Sequence, residues 1–174
     1  DRVDRIKQMI TEGENTMVEF KSTMRWNINA NDKDKKMEEV ILKSIAALSN
    51  RYGGTLFIGV KDDGTILGLE KDYSTLREQT KDNFELHFRD LVNSAYGTNF
   101  ATSLLDVSFP KIDGVEFCMI EVKRGKEPLY TKVSSNSPGG AKVDKIFVRS
   151  GNSSRELPID QIPKYVRERF NQAT

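Results

Sequence analysis

Residues 55–64 of this chain read TLFIGVKDDG, and this stretch decides the fold. Residues 55–60 form an apolar, β-branched and aromatic run, which is typical of a central strand. The Asp-Asp-Gly sequence at residues 62–64 then predicts a tight turn, so we expect residues 65–69 to return as the second strand of a hairpin. The stretch therefore predicts a sheet that has residues 55–60 near its centre.

The hydrophobic pattern predicts further elements on both sides of this hairpin. Apolar residues three or four apart indicate helices, and short alternating or continuous apolar runs indicate strands. The predicted helices cover residues 2–11, 35–50, 75–96 and 159–170. The other predicted strands cover residues 16–21, 104–109, 115–122 and 146–149, and the predicted loops cover residues 25–34 and 134–140. We interpret the chain as a single α+β domain over residues 1–174, with a mixed, mostly antiparallel sheet built from hairpins and covered by helices.

Composition and charge limit the classes of function that are possible. The chain carries 27 Lys and Arg against 26 Asp and Glu, a net charge of +1, so any nucleic-acid surface has to be a local patch. With one histidine, His87, and one cysteine, Cys118, a His-rich or thiolate metal site is excluded. No apolar run approaches the ~20 residues that span a bilayer, and no signal peptide is recognisable. We therefore expect a cytoplasmic protein without a membrane segment.

Carboxylates flank two of the predicted strands. Glu14 and Glu19 accompany the strand over residues 16–21, and Asp62 and Asp63 follow the central strand. Carboxylate oxygens are the ligands that Mg²⁺ and Mn²⁺ prefer, and phosphodiester hydrolysis needs a cation that polarises the phosphate. The pattern is thus compatible with a metal site. In the alternative interpretation, Glu14 is a solvated loop residue and the two aspartates only form a turn.

A Glu-x-Lys pattern occurs twice, at Glu19 and Lys21 and again at Glu121 and Lys123. Residues two apart on a strand share a face, so the lysine can contact a phosphate or an attacking water beside a metal-bound glutamate. The second copy, with Asp106 on the preceding strand, resembles restriction-endonuclease-type nucleases. Both copies are also compatible with ordinary solvated strand faces.

Basic side chains concentrate near the last predicted strand, around the Asn-Ser-Ser sequence at residues 152–154. They are Lys142, Lys145, Arg149 and Arg155. Arg and Lys give charge-assisted hydrogen bonds to phosphate oxygens, and Ser and Asn give neutral ones, so this set predicts contacts to a nucleic-acid backbone. The alternative is an edge strand whose lysines prevent pairing with another strand.

Three other features have simpler interpretations. The Gly-Gly sequence at residues 53–54 precedes a strand and lacks a following Gly-Lys-Ser, so it indicates a helix C-cap and close packing, not a phosphate loop. His87 is interpreted as a partly buried helix residue, not as a catalytic base. Trp26 and Tyr130 are candidates for stacking on bases, or for anchoring loops.

Three segments together resemble the Schlafen AlbA-like domain family. They read ENTMVEFKS at residues 14–22, IAALSNRYGGTLFIGVKDDGTILGL at residues 45–69 and FVRSGNSS at residues 147–154. The family shows a Glu-Phe-Lys strand, a Gly-Gly strand running into Ile-Gly-Val-x-Asp, and a closing Val-Arg-x-Gly-x-Ser element. The resemblance extends from about residue 13 to residue 165.

The resemblance implies an α+β domain that binds RNA or DNA, and nuclease members cut RNA with the help of a metal. Those members use two glutamates five residues apart and an aspartate after the Gly-Val strand, which match Glu14, Glu19 and Asp62. We therefore expect a metal-dependent endoribonuclease in which these three residues are catalytic ligands of Mg²⁺ or Mn²⁺. Lys21 would act on the scissile phosphate, and the four basic residues named above would contact the backbone.

Two alternatives stay open, and so does the number of subunits. The first alternative is a non-catalytic nucleic-acid-binding regulatory module, and the second, with less support, is an ATP-binding domain. Nuclease members often pair two such lobes into a groove, whereas this chain supplies one lobe. A homodimer would restore the groove, so our hypothesis is that the chain forms a homodimer.

Overall fold

The structure is a computed structural model that describes residues 1–136 and 138–171. Its helices are α1 (Arg2–Glu12), α2 (Lys36–Ser49), α3 (Glu70–Tyr73), α4 (Lys81–Tyr96), α5 (Thr98–Ser103) and α6 (Ile162–Arg169), with a 3₁₀ turn at Ile159–Gln161 before α6. Its strands are β1 (Val18–Lys21), β2 (Trp26–Asn27), β3 (Asp32–Lys33), β4 (Gly54–Ile58), β5 (Leu105–Ser108), β6 (Lys111–Ile112), β7 (Val115–Glu116), β8 (Cys118–Val122), β9 (Thr131–Ser134), β10 (Lys142–Lys145), β11 (Phe147–Ser150) and β12 (Ser153–Glu156).

Four strands form the main sheet, in the order β1-β4-β8-β5. β4 pairs in parallel with β1 and antiparallel with β8, and β8 pairs antiparallel with β5. The other strands form antiparallel pairs, which are β2–β3, β6–β7, β9–β10 and β11–β12. This arrangement confirms the predicted α+β class with mixed, mostly antiparallel pairing, and it places β4 inside the sheet as expected.

Apolar side chains cover both faces of this sheet. Successive strand residues point to opposite faces, so Leu56 and Ile58 of β4 join the core formed with α2 and α4. Phe57 lies in a second core with α1, where its ring packs edge-on against Phe20 at a centroid distance of 5.9 Å. Burial on both sides explains why the sequence of β4 is continuously apolar.

The Gly-Gly sequence before β4 serves packing, as predicted. The Gly53 N–H donates to the Leu48 carbonyl at 2.8 Å, in the turn that follows the C-cap of α2 at Asn50. A Cβ at Gly54, which has a φ of 152°, would lie 2.3 Å from the Met17 carbonyl oxygen. Only glycine therefore lets β4 approach the start of β1 this closely.

Several predicted elements differ from the structure. Residues 65–69 do not form a strand, because the Gly59 carbonyl accepts from the N–H groups of Leu67 and Gly68 and leaves a single bridge between Val60 and Ile66. The helix predicted over residues 75–96 begins only at α4, where Thr80 caps it.

One predicted loop contains strand pairing that the sequence did not reveal, and the other, among its described residues, overlaps a strand only at Ser134. Residues 25–34 hold the β2–β3 pair, helped by Asn31 with a φ of 54°. Residues 134–140 connect β9 and β10, although residue 137 lies outside the described residues. No helix among the described residues is long and apolar enough to cross a bilayer.

Asp72 of α3 anchors the loop that follows β1. Its Oδ2 accepts from the Met24 N–H at 2.7 Å and its Oδ1 from the Arg25 N–H at 2.9 Å. Burial raises the pKa of Asp72 to about 6, although these hydrogen bonds oppose the change. The loop lines the groove described below, so Asp72 links the core to that surface.

We expect Asp72→Asn to lower the free energy of unfolding by about 1–3 kcal/mol, since the amide replaces one acceptor by a donor. The variant should also lose a pH dependence. Folding raises the pKa of this carboxyl from 3.8 to about 6, so the wild-type folded state binds more protons and its stability falls as the pH rises through this window. Urea unfolding at several pH values between 4 and 7 measures both effects, and parallel pH curves for the two proteins would contradict the assignment.

Candidate nucleic-acid interface

Glu14 and Glu19 lie together at the outer edge of β1. Glu14 precedes the strand, and its Oε1 accepts from the Phe20 N–H at 2.9 Å. Glu19 lies within β1 and is 5% exposed. Burial and the neighbouring Glu19 carboxyl raise the pKa of Glu14 to about 7. The structure therefore brings two of the three predicted metal ligands into one carboxylate pair.

Two cations hold the Glu19 carboxylate from different sides. Arg149 of β11 donates through Nη1 to Glu19 Oε2, and Lys21 Nζ lies 3.5 Å from Glu19 Oε1. Arg149 is 0% exposed, and its other nitrogens donate to the carbonyls of Asn15 and Val18 at 3.0–3.2 Å. The guanidinium is thus enclosed and fully partnered. Its role in this structure is to fix Glu19.

The outward-facing backbone of β1 is closed by the chain itself. The Val18 N–H donates to the Asn15 carbonyl at 3.3 Å, and the Val18 carbonyl accepts from the Asn15 N–H and from Arg149, each at 3.0 Å. Glu14 accepts from the next outward N–H, that of Phe20. Glu14 and Arg149 therefore complete the edge of the sheet as well as contacting Glu19.

A groove of about 660 Å³ begins where β1 ends. Its walls contain basic, acidic and aromatic side chains, among them Lys21, Trp26, Lys61, Asp62 and Asp63. Lys21 belongs to both the groove and the carboxylate pair, so the two features adjoin. Lys71 Nζ lies 5.6 Å from the centroid of the Trp26 ring and adds a positive charge beside it.

The two aspartates at the groove differ in their partners. Asp63 Oδ1 accepts from the Thr65 N–H at 2.9 Å, and hydrogen bonding to Thr65 lowers the pKa of Asp63. This is the turn role that the alternative interpretation gave to both residues. Asp62 is exposed and makes no hydrogen bond or ion pair among the described residues.

The carboxylates suit a divalent cation in kind, and two of them are already adjacent. Within residues 1–136 and 138–171, no three His, Cys, Asp or Glu side chains come close enough to hold one metal ion. The structure thus does not bring Asp62 into the Glu14–Glu19 pair. However, Mg²⁺ is commonly held by one or two carboxylates together with waters and substrate phosphates. The pair fits that mode of binding.

The predicted basic residues occupy three different environments. Lys142 and Arg155 are exposed, on β10 and β12. Lys145 Nζ forms an ion pair with Glu156 at 2.7 Å. Arg149 is fully buried and forms an ion pair with Glu19, so it has no exposed surface that could contact a phosphate. The expectation that Arg149 contacts a nucleic-acid backbone is therefore corrected.

The remaining sequence candidates lie apart from the pair. Asp106 and Glu121 are opposite each other in the β5–β8 ladder and exposed, so they form a second, separate acidic pair. His87 is half-buried on α4, where its Nε2 lies 2.5 Å from Glu38 Oε2. Sequence reasoning missed three arginines that the fold gathers, Arg51, Arg124 and Arg169. They are too far apart in the chain to form a motif.

Comparisons with known proteins show the family and the fold of the chain. The family model described as "Schlafen, AlbA_2" matches residues 14–158. No curated protein matches the chain significantly. A crystal structure of the DIP2311 protein from Corynebacterium diphtheriae aligns with a TM-score of 0.60 at 20% sequence identity, covering 97% of this chain and 31% of that one. That likeness concerns the fold alone, and the chain spans about a third of the length of that protein.

Proposed function

The chain belongs to the Schlafen AlbA_2 family, which implies a nucleic-acid-binding domain, and from this premise we propose that it is a metal-dependent endoribonuclease. The observation that carries the proposal is the Glu14–Glu19 carboxylate pair, which adjoins the groove through Lys21. A partly buried acidic pair with an adjacent lysine at the edge of a groove is suited to phosphodiester chemistry.

Glu14 and Glu19 would hold Mg²⁺ or Mn²⁺ together with waters and substrate phosphates, whereas Asp62 lies outside this pair, in the wall of the groove. Such an ion supplies a Lewis acid for the phosphate and a nucleophilic water at neutral pH. Two carboxylates in partly buried contact repel each other, which is one reason why the pKa of Glu14 is raised. A cation relieves this repulsion, so the pair favours its binding.

The chain's own side chains would bind and orient the substrate. Lys21 is half-buried, and its Nζ lies 3.5 Å from Glu19 Oε1, at the edge of the groove. A phosphate bound at the carboxylates would therefore have the Lys21 charge close to the oxygen on which negative charge develops. Arg149 keeps the Glu19 carboxylate in a single orientation. Trp26 offers an aromatic face in the groove on which a base can stack. Lys142 and Arg155 would contact the backbone at a distance from the reacting phosphate.

A second candidate is a non-catalytic nucleic-acid-binding module, and one contact favours it. Arg149 already neutralises Glu19, so the pair is stable without a cation. In this case the two glutamates serve the sheet edge only. Binding would then depend on salt and not on a divalent ion.

A cleavage assay separates the two candidates. The wild-type chain is incubated with total tRNA and with short single- and double-stranded DNA, in Mn²⁺, Mg²⁺ or EDTA. The proposed function predicts cutting of RNA that requires a divalent ion and stops in EDTA. Salt-sensitive binding that is unaffected by EDTA and is never followed by cutting would establish the binding module instead.

The homodimer remains part of the proposal. A second copy would supply the other wall of the substrate groove, as two lobes do in nuclease relatives. Size-exclusion chromatography with light scattering is expected to show a mass near twice 19.8 kDa at high protein concentration. A monomer at every concentration would remove this part of the proposal and leave the carboxylate pair unaffected.

A further inference from the structure

A small basic pocket lies at the start of β4, at the opposite end of the strand from the groove. Its volume is about 310 Å³, and it is lined by Arg124, Gly125, Lys126, Arg169 and Phe170. Arg51 joins it, since its carbonyl accepts hydrogen bonds from two of these arginines. We call these six residues the arginine pocket. None of them belongs to the carboxylate pair or to the groove.

Backbone acceptors hold the guanidinium groups of the pocket in place. Arg124 Nε and Arg169 Nε donate to the same carbonyl oxygen, that of Arg51, at 3.3 and 2.9 Å. Arg169 Nη2 also donates to the carbonyls of Ser49 and Gly125 at 3.1 and 2.8 Å, and its Cζ lies 4.3 Å from the centroid of the Phe170 ring. Two positive groups are thereby fixed side by side.

No acidic group among the described residues balances this charge. Arg51, Arg124, Lys126 and Arg169 form no ion pair with a carboxylate in the part of the chain that the structure describes. Burial, and then the nearby charge of Arg124, lower the pKa of Arg169. Among the described residues, the Arg124 side chain donates only through Nε, so both of its terminal nitrogens keep unused donors there. Crowded, oriented cations with free donors make a ready anion site.

We propose that the arginine pocket binds a phosphate group, which in the complex belongs to the backbone of the bound nucleic acid. Guanidinium groups match phosphate geometry through paired N–H donors. The exposed ring of Tyr52, with Arg51 Cζ 4.9 Å from its centroid, offers a neighbouring face for a base. This identification rests on the nucleic-acid-binding part of the proposed function, and it does not depend on cleavage.

The pocket is connected to the carboxylate pair through one residue. Arg51 Nη1 donates to the Arg149 carbonyl at 2.8 Å, and the Arg149 side chain binds Glu19. Arg51 of the pocket therefore contacts the same residue that holds Glu19, so the two features are connected through the interior of the protein.

Arg124→Ala is the test variant, because the Arg124 side chain is exposed and makes one hydrogen bond within the part of the chain that the structure describes, so its loss should leave the fold intact. Arg167→Ala is the matched control, since this substitution removes the same charge from an exposed position on α6. Arg167 makes no hydrogen bond or ion pair with any residue that the structure describes. Binding of a fluorescent single-stranded RNA is measured from ~50 to 300 mM salt, a range over which phosphate contacts dominate affinity. We expect Arg124→Ala to weaken binding about 10-fold and to reduce the salt slope by about one, and Arg167→Ala to bind as wild type.

Further measurements identify the source of the phosphate. If RNA with a 5′-phosphate binds better than RNA with a 5′-hydroxyl, and only in the wild type, the pocket holds a terminal phosphate. If both RNAs lose affinity equally in Arg124→Ala, it holds an internal one. Unchanged affinity and salt slope in Arg124→Ala would overturn the proposal. So would equally strong, Arg124-dependent binding of polyglutamate, which would assign the pocket to an acidic protein partner.

Binding by the wild type shows whether the pocket proposal or the proposed function itself is wrong. If the wild type binds neither RNA nor DNA, the nucleic-acid assignment itself is wrong. The pocket is then judged by thermal unfolding with inorganic phosphate or a nucleoside monophosphate. Stabilisation by either ligand that is lost in Arg124→Ala keeps a phosphate site for a free ligand, by mass action. No stabilisation would overturn the pocket as well.

Discussion

Arg149→Leu is expected to lower the free energy of unfolding by about 3–5 kcal/mol, a large part of the stability of an ordinary domain. The variant leaves the Glu19 carboxylate in the interior without its main partner. It also removes three hydrogen bonds to the carbonyls of Asn15 and Val18. Lys21, at 3.5 Å and partly exposed, replaces little of this interaction. Urea unfolding followed by circular dichroism measures the loss.

Two companion variants show that the loss comes from the pair. Arg149→Leu combined with Glu19→Leu should be more stable than Arg149→Leu alone, because no buried charge is then left unpaired. Arg149→Lys keeps the charge but not the planar fork, so an intermediate loss is expected. A loss below about 1 kcal/mol in Arg149→Leu, the size of an exposed ion pair, would mean that Arg149 does not hold Glu19 in solution.

Glu14→Gln is expected to reduce RNA cleavage about 100-fold or more, since a metal's Lewis acidity is worth several kcal/mol and each ~1.4 kcal/mol is a factor of ten. This position is a cleaner test than Glu19, because Glu14 does not bind Arg149 and its replacement strands no buried cation. RNA binding should persist, since it depends on the basic residues. Initial rates in Mn²⁺, with binding measured in EDTA, give both quantities.

Glu12→Gln is the matched control for this change. Glu12 is an exposed carboxylate two residues away, at the end of α1, and its one described hydrogen bond comes from Gln8. The same loss of charge there should leave the cleavage rate within about twofold, because exposed charges contribute little. Undiminished cleavage by Glu14→Gln would remove the carboxylate pair from the reaction and favour the binding module.

Sequence reasoning was most successful where local pattern and burial agree. The apolar run at residues 55–60 predicts an interior strand because β4 is buried on both faces. Glu14 and Glu19, which the family resemblance groups as metal ligands, lie close together because the intervening turn folds locally, through Asn15 and Val18. The prediction of a return strand over residues 65–69 was wrong. It was based on the acidic turn at residues 62–64, but the sequence does not show that the Gly59 carbonyl accepts hydrogen bonds from the N–H groups of both Leu67 and Gly68.

Features made by distant residues could not be predicted in the same way. Arg149 looks like a surface strand residue, and only the position of Glu19, 130 residues earlier, makes it a core residue. The arginine pocket combines Arg51, Arg124 and Arg169 from three separate segments. Asp62 follows β4 as in the family pattern. Its distance from Glu14 depends on the path of the loop before β1 and of the loop after β4, which the sequence pattern does not give. Such contacts depend on tertiary packing, which no local pattern encodes.

The closed outer edge of β1 has a consequence for solubility in the cell. Unpaired strand edges are templates on which other chains add strands, the first step toward insoluble aggregates. Here the side chains of Glu14 and Arg149 and the backbone of Asn15 occupy the outward groups of Val18 and the N–H of Phe20, so the protein itself masks this part of the template. Loss of these contacts would expose the outer edge of β1 to other chains, whether or not the carboxylates take part in a reaction.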